Sequence, residues 1–228
     1  MAEPTVAERL ARVREQLAEA ATAAGRDPAT VRLVAVSKRV DEARIAEAVA
    51  AGQRDFGENY VQEALAKMDR FGADVRWHMI GQLQSNKAAR VARRFALVHS
   101  LASLKAARAI SRAMVADGSS CRVLVQVRLG GGPARGGIDP AELEDFVGQV
   151  AEMPGIIVDG LMGVAPLEEP PRPHFARLRE MLERLRSLQL PGAPLAEMSA
   201  GMSGDFRDAI AEGATLVRIG EAVFGPRT

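Results

Sequence analysis

The sequence predicts a closed (β/α)8 barrel, a parallel sheet of eight strands in which helices connect successive strands. Three observations lead to this fold class. Short apolar segments alternate with longer amphipathic ones along the whole chain. Several short segments are apolar throughout, as expected for parallel strands covered on both faces. Eight such segments are present, which favours a closed barrel over an open doubly wound sheet, the alternative that also fits the alternation.

The first element is a helix that precedes the alternating pattern. Over residues 3–25, apolar residues recur at helical spacing, and Gly25 is a favoured helix terminator. Because this segment comes before the first strand candidate, we expect an extra N-terminal helix in addition to the barrel.

The strand candidates are short runs rich in apolar and β-branched residues. They span residues 31–38, 55–58, 76–81, 96–101, 121–129, 155–164, 194–199 and 215–220. The helix candidates between them span residues 41–52, 59–72, 85–95, 103–118, 140–153, 172–188 and 203–213. No tandem repeat or long linker divides the chain, so we expect a single domain over residues 1–228.

Composition narrows the class of protein. The chain has 228 residues, of which 47% are hydrophobic and 26% charged, which is enough for a core. A net charge of +1 gives no electrostatic signature of nucleic-acid or membrane binding. No apolar signal core or membrane-spanning stretch is visible, and the single cysteine, Cys121, excludes an internal disulfide. We therefore expect a soluble cytoplasmic protein with Cys121 in the core.

Polar residues at the carboxyl ends of the predicted strands are the candidates for a functional site, because barrels of this type carry their sites at that end. These candidates are Lys38, Glu58, Asn59, His78, His99, Ser199, Ser203 and Arg218.

Lys38 closes the first strand candidate, in the segment RLVAVSKRV. A lysine in a partly apolar pocket loses some of its affinity for a proton. Its neutral amine can then attack an aldehyde to form a Schiff base. Lys38 is therefore a candidate Schiff-base residue, although an ordinary surface lysine would fit the same position.

The C-terminal segment indicates a phosphate site. SAGMSGD places small residues and hydroxyls before a predicted helix, with Ser203 near the helix start, where free N–H groups favour an anion. RIGEA adds a second glycine turn at Gly220, after the last strand. Loops after the last two strands are a recurrent phosphate site in this fold.

Arg218 lies inside the last apolar strand and needs an acceptor, because it cannot lose its charge. It could form an ion pair with Glu58 or another carboxylate at the rim, or it could donate to a ring nitrogen of a ligand. A lysine nucleophile with a phosphate site fits pyridoxal 5′-phosphate (PLP), and it equally fits a sugar-phosphate aldolase without cofactor.

The histidines give a weak case for a metal. His78 and His99 both end strand candidates, but no carboxylate stands near them at metal-ligand spacing. His174 lies in the proline-rich start of a long helix and is expected to be exposed to solvent. We therefore expect no metal site.

Long motifs resolve the choice of ligand by resemblance. After VAVSK come four further motifs, in the chain order FGENYVQEALAKM, WHMIGQLQSNKAARV, GLMGVAPL and MSAGMSGDFRDAIAEGATLVRIGEAVFG. Together they resemble the pyridoxal phosphate homeostasis protein family, which is related to the N-terminal barrel of alanine racemase. The resemblance extends from about residue 8 to Pro226.

The resemblance implies a fold-type III PLP barrel with the cofactor held as an aldimine on Lys38. It further implies that Ser203 and the backbone amides of Met202, Gly220 and Glu221 hold the phosphate. Arg218 would face the pyridine nitrogen, and Asn59 would line the ring. These seven residues are the predicted cofactor-binding set, and no catalytic residue is predicted.

A non-catalytic role follows from the same resemblance. A guanidinium at the ring nitrogen leaves the ring a weak electron sink, which suits storage or transfer of PLP better than turnover. The family implies a role in vitamin B6 homeostasis, with PLP-dependent apoenzymes as candidate recipients. We expect a monomer, because the second domain that builds racemase dimers is absent. The alternative is an amino-acid racemase, but the barrel occupies the whole chain, and Tyr60, the single tyrosine, is poorly placed as a second base.

The chain departs from the family pattern at three places. Glu221 stands where a small hydroxyl residue is usual, and its carboxylate is expected to turn away from the phosphate. The block after His99 lacks the acidic residue that the family usually carries near Ala102. The loop over residues 130–138 is richer in glycine than most. The first departure affects a phosphate contact, and the other two affect the rim.

Overall fold

A closed barrel of eight parallel strands forms the centre of the computed structural model, which describes residues 3–130 and 136–226. The strands pair in sequence order, and the last pairs with the first. They are β1 Arg32–Val36, β2 Asp55–Glu58, β3 Arg76–Met79, β4 Leu97–Leu101, β5 Cys121–Val127, β6 Ile156–Gly163, β7 Glu197–Ser199 and β8 Leu216–Ile219. The predicted fold class is confirmed.

Helices connect the strands and surround the barrel. They are α1 Val6–Ala23, α2 Glu42–Ala50, α3 Val61–Phe71, α4 Ala88–Ala92, α5 Leu104–Ala116, α6 Leu143–Ala151, α7 Pro171–Ser187, α8 Phe206–Ala211 and α9 Glu221–Phe224. Because all strands are parallel, their carboxyl ends meet at one end of the barrel, which we call the mouth. The opposite end is called the floor. Within the described residues, no helix combines the length and apolar character needed to cross a bilayer.

Helix α1 is the expected extra helix. Thr5 and Glu8 form a capping box at its start, in which each side chain accepts a hydrogen bond from the other residue's backbone N–H. Its buried apolar face packs against α2, α8 and α9, outside the barrel. The chain leaves α1 through Gly25, whose φ of +69° is readily adopted by glycine.

The core has two layers. A large apolar cluster fills the space between the outer face of the sheet and the helices. A small cluster lies apart from it among the strands, formed by Val34, Leu97, Leu124, Met162 and Leu216. Polar side chains of the strands are buried as well, including His78 and His99. The centre of the molecule is therefore partly polar, which needs hydrogen-bond partners for each group.

Element boundaries differ from the predictions at several points. Strand β1 ends at Val36 and not at residue 38, and β7 is limited to Glu197–Ser199. Helix α4 covers five residues of the predicted segment 85–95. Helix α9 was not predicted, because a single turn is too short to produce a helical repeat of apolar residues.

Candidate functional site

Lys38 lies at the mouth, two residues beyond the end of β1. Ser37 N–H donates to Gly57 O at 3.0 Å, which continues the pairing with β2 for one residue. The chain then turns, with Val40 N–H donating to Ser37 O and Arg39 adopting a φ of +57°. Lys38 is partly buried. The lysine therefore sits on the first turn after the strand rather than in it.

A buried cluster of charges holds this turn. Glu58 Oε1 accepts hydrogen bonds from Ser37 Oγ and from Lys67 Nζ, both at 2.7 Å. Lys67 Nζ also donates to Ser37 O at 2.6 Å and to Glu63 Oε1 at 2.7 Å, and Glu63 accepts from Arg39 N–H. The backbone on both sides of Lys38 is thus anchored to α3.

The carboxyl group of Glu58 is in a mixed environment. Burial raises its pKa, while the hydrogen bonds from Lys67 and Ser37 act in the opposite direction. Its Oε2 atom is buried without a hydrogen-bond partner. Sequence reasoning missed Lys67, although its place beside Met68 and three residues after Ala64, on the apolar face of α3, was a usable signal.

Asn59 follows the last residue of β2 and has a buried Oδ1 atom without a hydrogen-bond partner. It lines a cavity of about 420 Å³ at the mouth together with Tyr60, Gly81 and Lys87, among others. The backbone of Asn59 passes so close to Gly81 that a Cβ there would lie 2.3 Å from Asn59 O. The predicted site residue is therefore placed by a close contact between two mouth loops.

Arg218 is buried at the mouth end of the barrel interior. Its Nη1 donates to Ser199 Oγ at 2.6 Å, and its Nη2 donates to Gly163 O at 3.0 Å. Burial lowers the pKa of Arg218 to about 10, so the guanidinium stays charged at neutral pH. The suggested ion pair with Glu58 is wrong, because Glu58 is bonded to Ser37 and Lys67 instead.

The predicted phosphate residues lie on two turns at the mouth. Ser203 is exposed in the turn before α8, and Glu221 is exposed as the first residue of α9. The first N–H groups of a helix have no acceptor within it, so the Glu221 amide has none in α9. The Met202 amide donates to Asp205 Oδ1 at 2.6 Å, so it can reach a ligand only when Asp205 releases it.

The histidines differ from their predicted positions. His78 and His99 lie within β3 and β4 rather than at their ends, and their rings are hydrogen-bonded to each other in the interior. The expectation that His174 is exposed is wrong. Its side chain is 17% exposed and contacts Leu129 O and Glu169.

Cys121 is buried, as predicted, and burial raises the pKa of its thiol to about 12. Among residues 3–130 and 136–226, no three His, Cys, Asp or Glu side chains are arranged to hold a metal ion. Of the glycine-rich loop over residues 130–138, residues 131–135 lie outside the described part of the chain.

Comparison with known proteins gives a consistent result. The model of the alanine racemase N-terminal domain family matches residues 9–228. The curated pyridoxal phosphate homeostasis protein of Pseudomonas aeruginosa is 44% identical over 227 residues, which cover 98% of this chain and 96% of that protein.

Solved structures agree with these relatives. PipY of Synechococcus elongatus PCC7942 with PLP bound superposes with a TM-score of 0.86 at 40% identity, covering 97% of this chain and 100% of that one. Alanine racemase of Clostridium difficile 630 superposes with a TM-score of 0.73 at 13% identity, and 56% of its length is covered. The racemase likeness extends to the fold alone.

Proposed function

The chain belongs to the family of the alanine racemase N-terminal domain, and from this premise we propose that it binds PLP at the mouth as a Schiff base with Lys38. In this proposal the protein takes part in intracellular PLP homeostasis and performs no catalytic turnover. The name of its Pseudomonas aeruginosa relative and the PLP-bound PipY structure support this role.

One observation carries the proposal: the turn that bears Lys38 lies beside the last glycine turn. Strands β1 and β8 are neighbours, with Ala35 opposite Ile219. A Cβ added to Gly220 would lie 3.2 Å from Val36 O. The segments that follow β1 and β8 are therefore in contact where they leave the sheet. A molecule that carries both an aldehyde and a phosphate suits such a pair of turns.

The other residues of the mouth fit PLP as well. The unpartnered Oδ1 of Asn59 offers a buried acceptor for a polar group of a ligand. Ser203 and the amides of Gly220 and Glu221 would hold the phosphate, and the Met202 amide would join them once Asp205 moves. The exposed Glu221 carboxylate can extend into solvent, away from an anion.

The residues present also support storage over catalysis. When bound, PLP supplies an aldehyde that reacts with amines and a ring that withdraws electrons. Arg218 would donate a hydrogen bond to the ring nitrogen, and because a guanidinium keeps its proton, it would transfer none to that atom. Without this proton the ring withdraws electrons less strongly. Lys38 would hold the cofactor until an acceptor takes it.

We further propose that the chain is a single domain over residues 1–228 and acts as a monomer in the cytoplasm, with PLP-dependent apoenzymes as recipients. The relative from Pseudomonas aeruginosa is matched over 96% of its own length, which supports a shared organisation. Neither nucleic acid nor membrane is proposed as a partner.

Amino-acid racemisation is the alternative function, because the family model that matches this chain is that of the alanine racemase N-terminal domain. It requires a second base opposite Lys38. Tyr60 is 50% exposed and lies just before α3, which makes it a poor second base. Measurable racemisation of an amino acid, followed by optical rotation, would replace the carrier proposal. A cofactor-free aldolase would instead give colourless protein.

The absorbance spectrum of the purified protein tests the proposal. We expect a yellow protein whose visible band disappears in Lys38→Ala and persists in Lys105→Ala, which removes an exposed lysine at the start of α5. Borohydride reduction and peptide mapping should place the pyridoxyl group on Lys38. A Lys38→Ala protein as yellow as its parent would refute the assignment.

A further inference from the structure

A continuous series of hydrogen bonds crosses the barrel interior from the mouth to the floor. Arg218 Nη1 donates to Ser199 Oγ at 2.6 Å, and Ser199 Oγ lies 2.8 Å from His99 Nδ1. His99 Nε2 lies 2.9 Å from His78 Nδ1, and His78 Nε2 lies 2.9 Å from Asp55 Oδ1. Each of these residues is at most 6% exposed. We call them the interior chain.

The interior chain ends in an ion pair at the floor. Arg76 donates to both carboxylate oxygens of Asp55, at 2.8 and 2.6 Å, and the Arg76 side chain is 55% exposed. Burial opposes the charge of Asp55, but hydrogen bonds from Arg76 and His78 outweigh it and lower the pKa of the carboxyl group. Asp55 is therefore a carboxylate at neutral pH and can only accept.

The two ends fix the direction of every bond between them. Arg218 can only donate, so Ser199 Oγ accepts from it and is free to donate its own proton. Burial holds the pKa of His99 well below its usual value, so His99 is neutral and has one N–H. In the arrangement in which His78 also carries a single proton, Ser199 donates to His99, His99 donates to His78, and His78 donates to Asp55.

A doubly protonated His78 would break this series. It would donate to His99 Nε2 as well as to Asp55, and His99 would then carry its proton on Nδ1 and donate to Ser199 Oγ. Ser199 would then receive hydrogen bonds from both Arg218 and His99, and neither of these groups could accept its hydroxyl proton. An unsatisfied buried donor is costly, so the series with two neutral histidines is favoured.

We propose that Ser199, His99 and His78 are positioning residues for Arg218, acting through a one-way series of hydrogen bonds in which both imidazoles are neutral and protonated on Nε2. With Gly163 O holding Nη2, the contact to Ser199 fixes the plane of the guanidinium. The role toward a ring nitrogen rests on the proposed function, whereas the proton positions belong to the protein alone.

Nitrogen-15 NMR of the histidine side chains tests the proton positions in protein free of PLP. Two-bond ¹⁵N–¹H correlations should identify both His78 and His99 as neutral Nε2–H tautomers at pH 7. A cationic ring, or an Nδ1–H tautomer in either residue, would overturn the proposal.

Two matched variants, studied by the same NMR experiment, test the role of Asp55 as the acceptor at the floor. Asp55→Leu removes the final acceptor, so we expect the signals of both histidines to change. Asp159→Leu is the control, because Asp159 is also a buried carboxylate paired with a half-exposed arginine, Arg122, but contacts no histidine. Equal spectra for the parent and folded Asp55→Leu would contradict the proposed direction. Should Asp55→Leu not fold, the tautomers of the parent protein decide.

Ser199→Ala tests the coupling to Arg218. Loss of this contact should weaken PLP binding about tenfold and shift the visible absorption maximum. Ser111→Ala removes a serine hydroxyl on α5 that donates to Pro154 O, and it should change neither property. If Ser199→Ala has the PLP affinity and the absorption maximum of its parent, the positioning role is refuted. A parent that binds no PLP would refute the proposed function, and the NMR result would still report on the interior chain.

Discussion

At the scale of single residues, Lys67 has an unusual environment for a lysine, because the residue is only 5% exposed. A buried ammonium group is costly to desolvate unless it is paired and hydrogen-bonded. Here two carboxylates and a backbone carbonyl surround it, and the carbonyl belongs to Ser37, next to Lys38. Lys67 therefore contributes to the position of Lys38 from outside the mouth.

Replacing Lys67 with methionine should destabilise the protein by about 3 kcal/mol, because it leaves the Glu58 carboxylate buried without its cation. Urea unfolding followed by circular dichroism measures this. The double variant with Glu58→Gln should recover part of the loss, since the uncompensated charge is then gone. A single variant as stable as the parent would show that the buried pair contributes no net stability.

At the scale of elements, the loops at the mouth are fixed by close approach of backbones. The turn after β3 passes the turn after β2 at Gly81, where a Cβ would lie 2.3 Å from Asn59 O and 2.6 Å from Asn59 Cα. Both obstructing atoms are backbone, so a side chain at residue 81 must displace a loop. The position of Asn59 thus depends on a glycine in a different element.

We expect Gly81→Ala to cost about 1–3 kcal/mol of unfolding free energy and to weaken PLP binding, since it shifts the loop that carries Asn59. Gly148→Ala is the matched control, because Gly148 lies within α6 and its Cβ would meet nothing within 4 Å. That change should stabilise the protein by about 0.5–1 kcal/mol through helix propensity. The denaturation midpoint should lie below that of the parent for Gly81→Ala and above it for Gly148→Ala. Equal midpoints for the two variants would contradict this account.

At the scale of the whole molecule, closure of the barrel joins distant segments into one buried polar network. The interior chain uses residues from β2, β3, β4, β7 and β8 and connects the mouth with the floor. Such a network favours the folded state only while its groups keep the protonation states that satisfy every hydrogen bond. Global stability should therefore depend on pH through these groups.

The free energy of unfolding should fall as the pH decreases below about 6.5. The pKa of His99 is lower in the folded protein than the ordinary value of 6.5, so the unfolded chain binds a proton first and the folded state loses stability in acid. Asp55, whose pKa is also lowered, adds a second loss below about pH 4. Urea unfolding at a series of pH values should show both losses. In His99→Asn the loss of stability below about pH 6.5 should be absent. If the unfolding free energy of this variant depends on pH as that of the parent does, the loss does not come from His99.

The sequence by itself determined the barrel, the extra N-terminal helix and the set of strand ends that form the mouth. Alternating patterns carry that information, because the repeat of apolar residues reports which face of each element is buried. Lys38, Asn59 and Arg218 were found in this way, and the long family motifs gave the expected cofactor.

Only the tertiary structure decided which of these side chains contact one another. Arg218 binds Ser199 rather than Glu58, the Met202 amide is held by Asp205, and the two strand histidines lie in the interior. Such pairs depend on the register of neighbouring strands and on barrel closure, which no local pattern encodes. His99 and Ser199 are 100 residues apart in the chain, and they meet because the closed sheet leaves their side chains one shared interior.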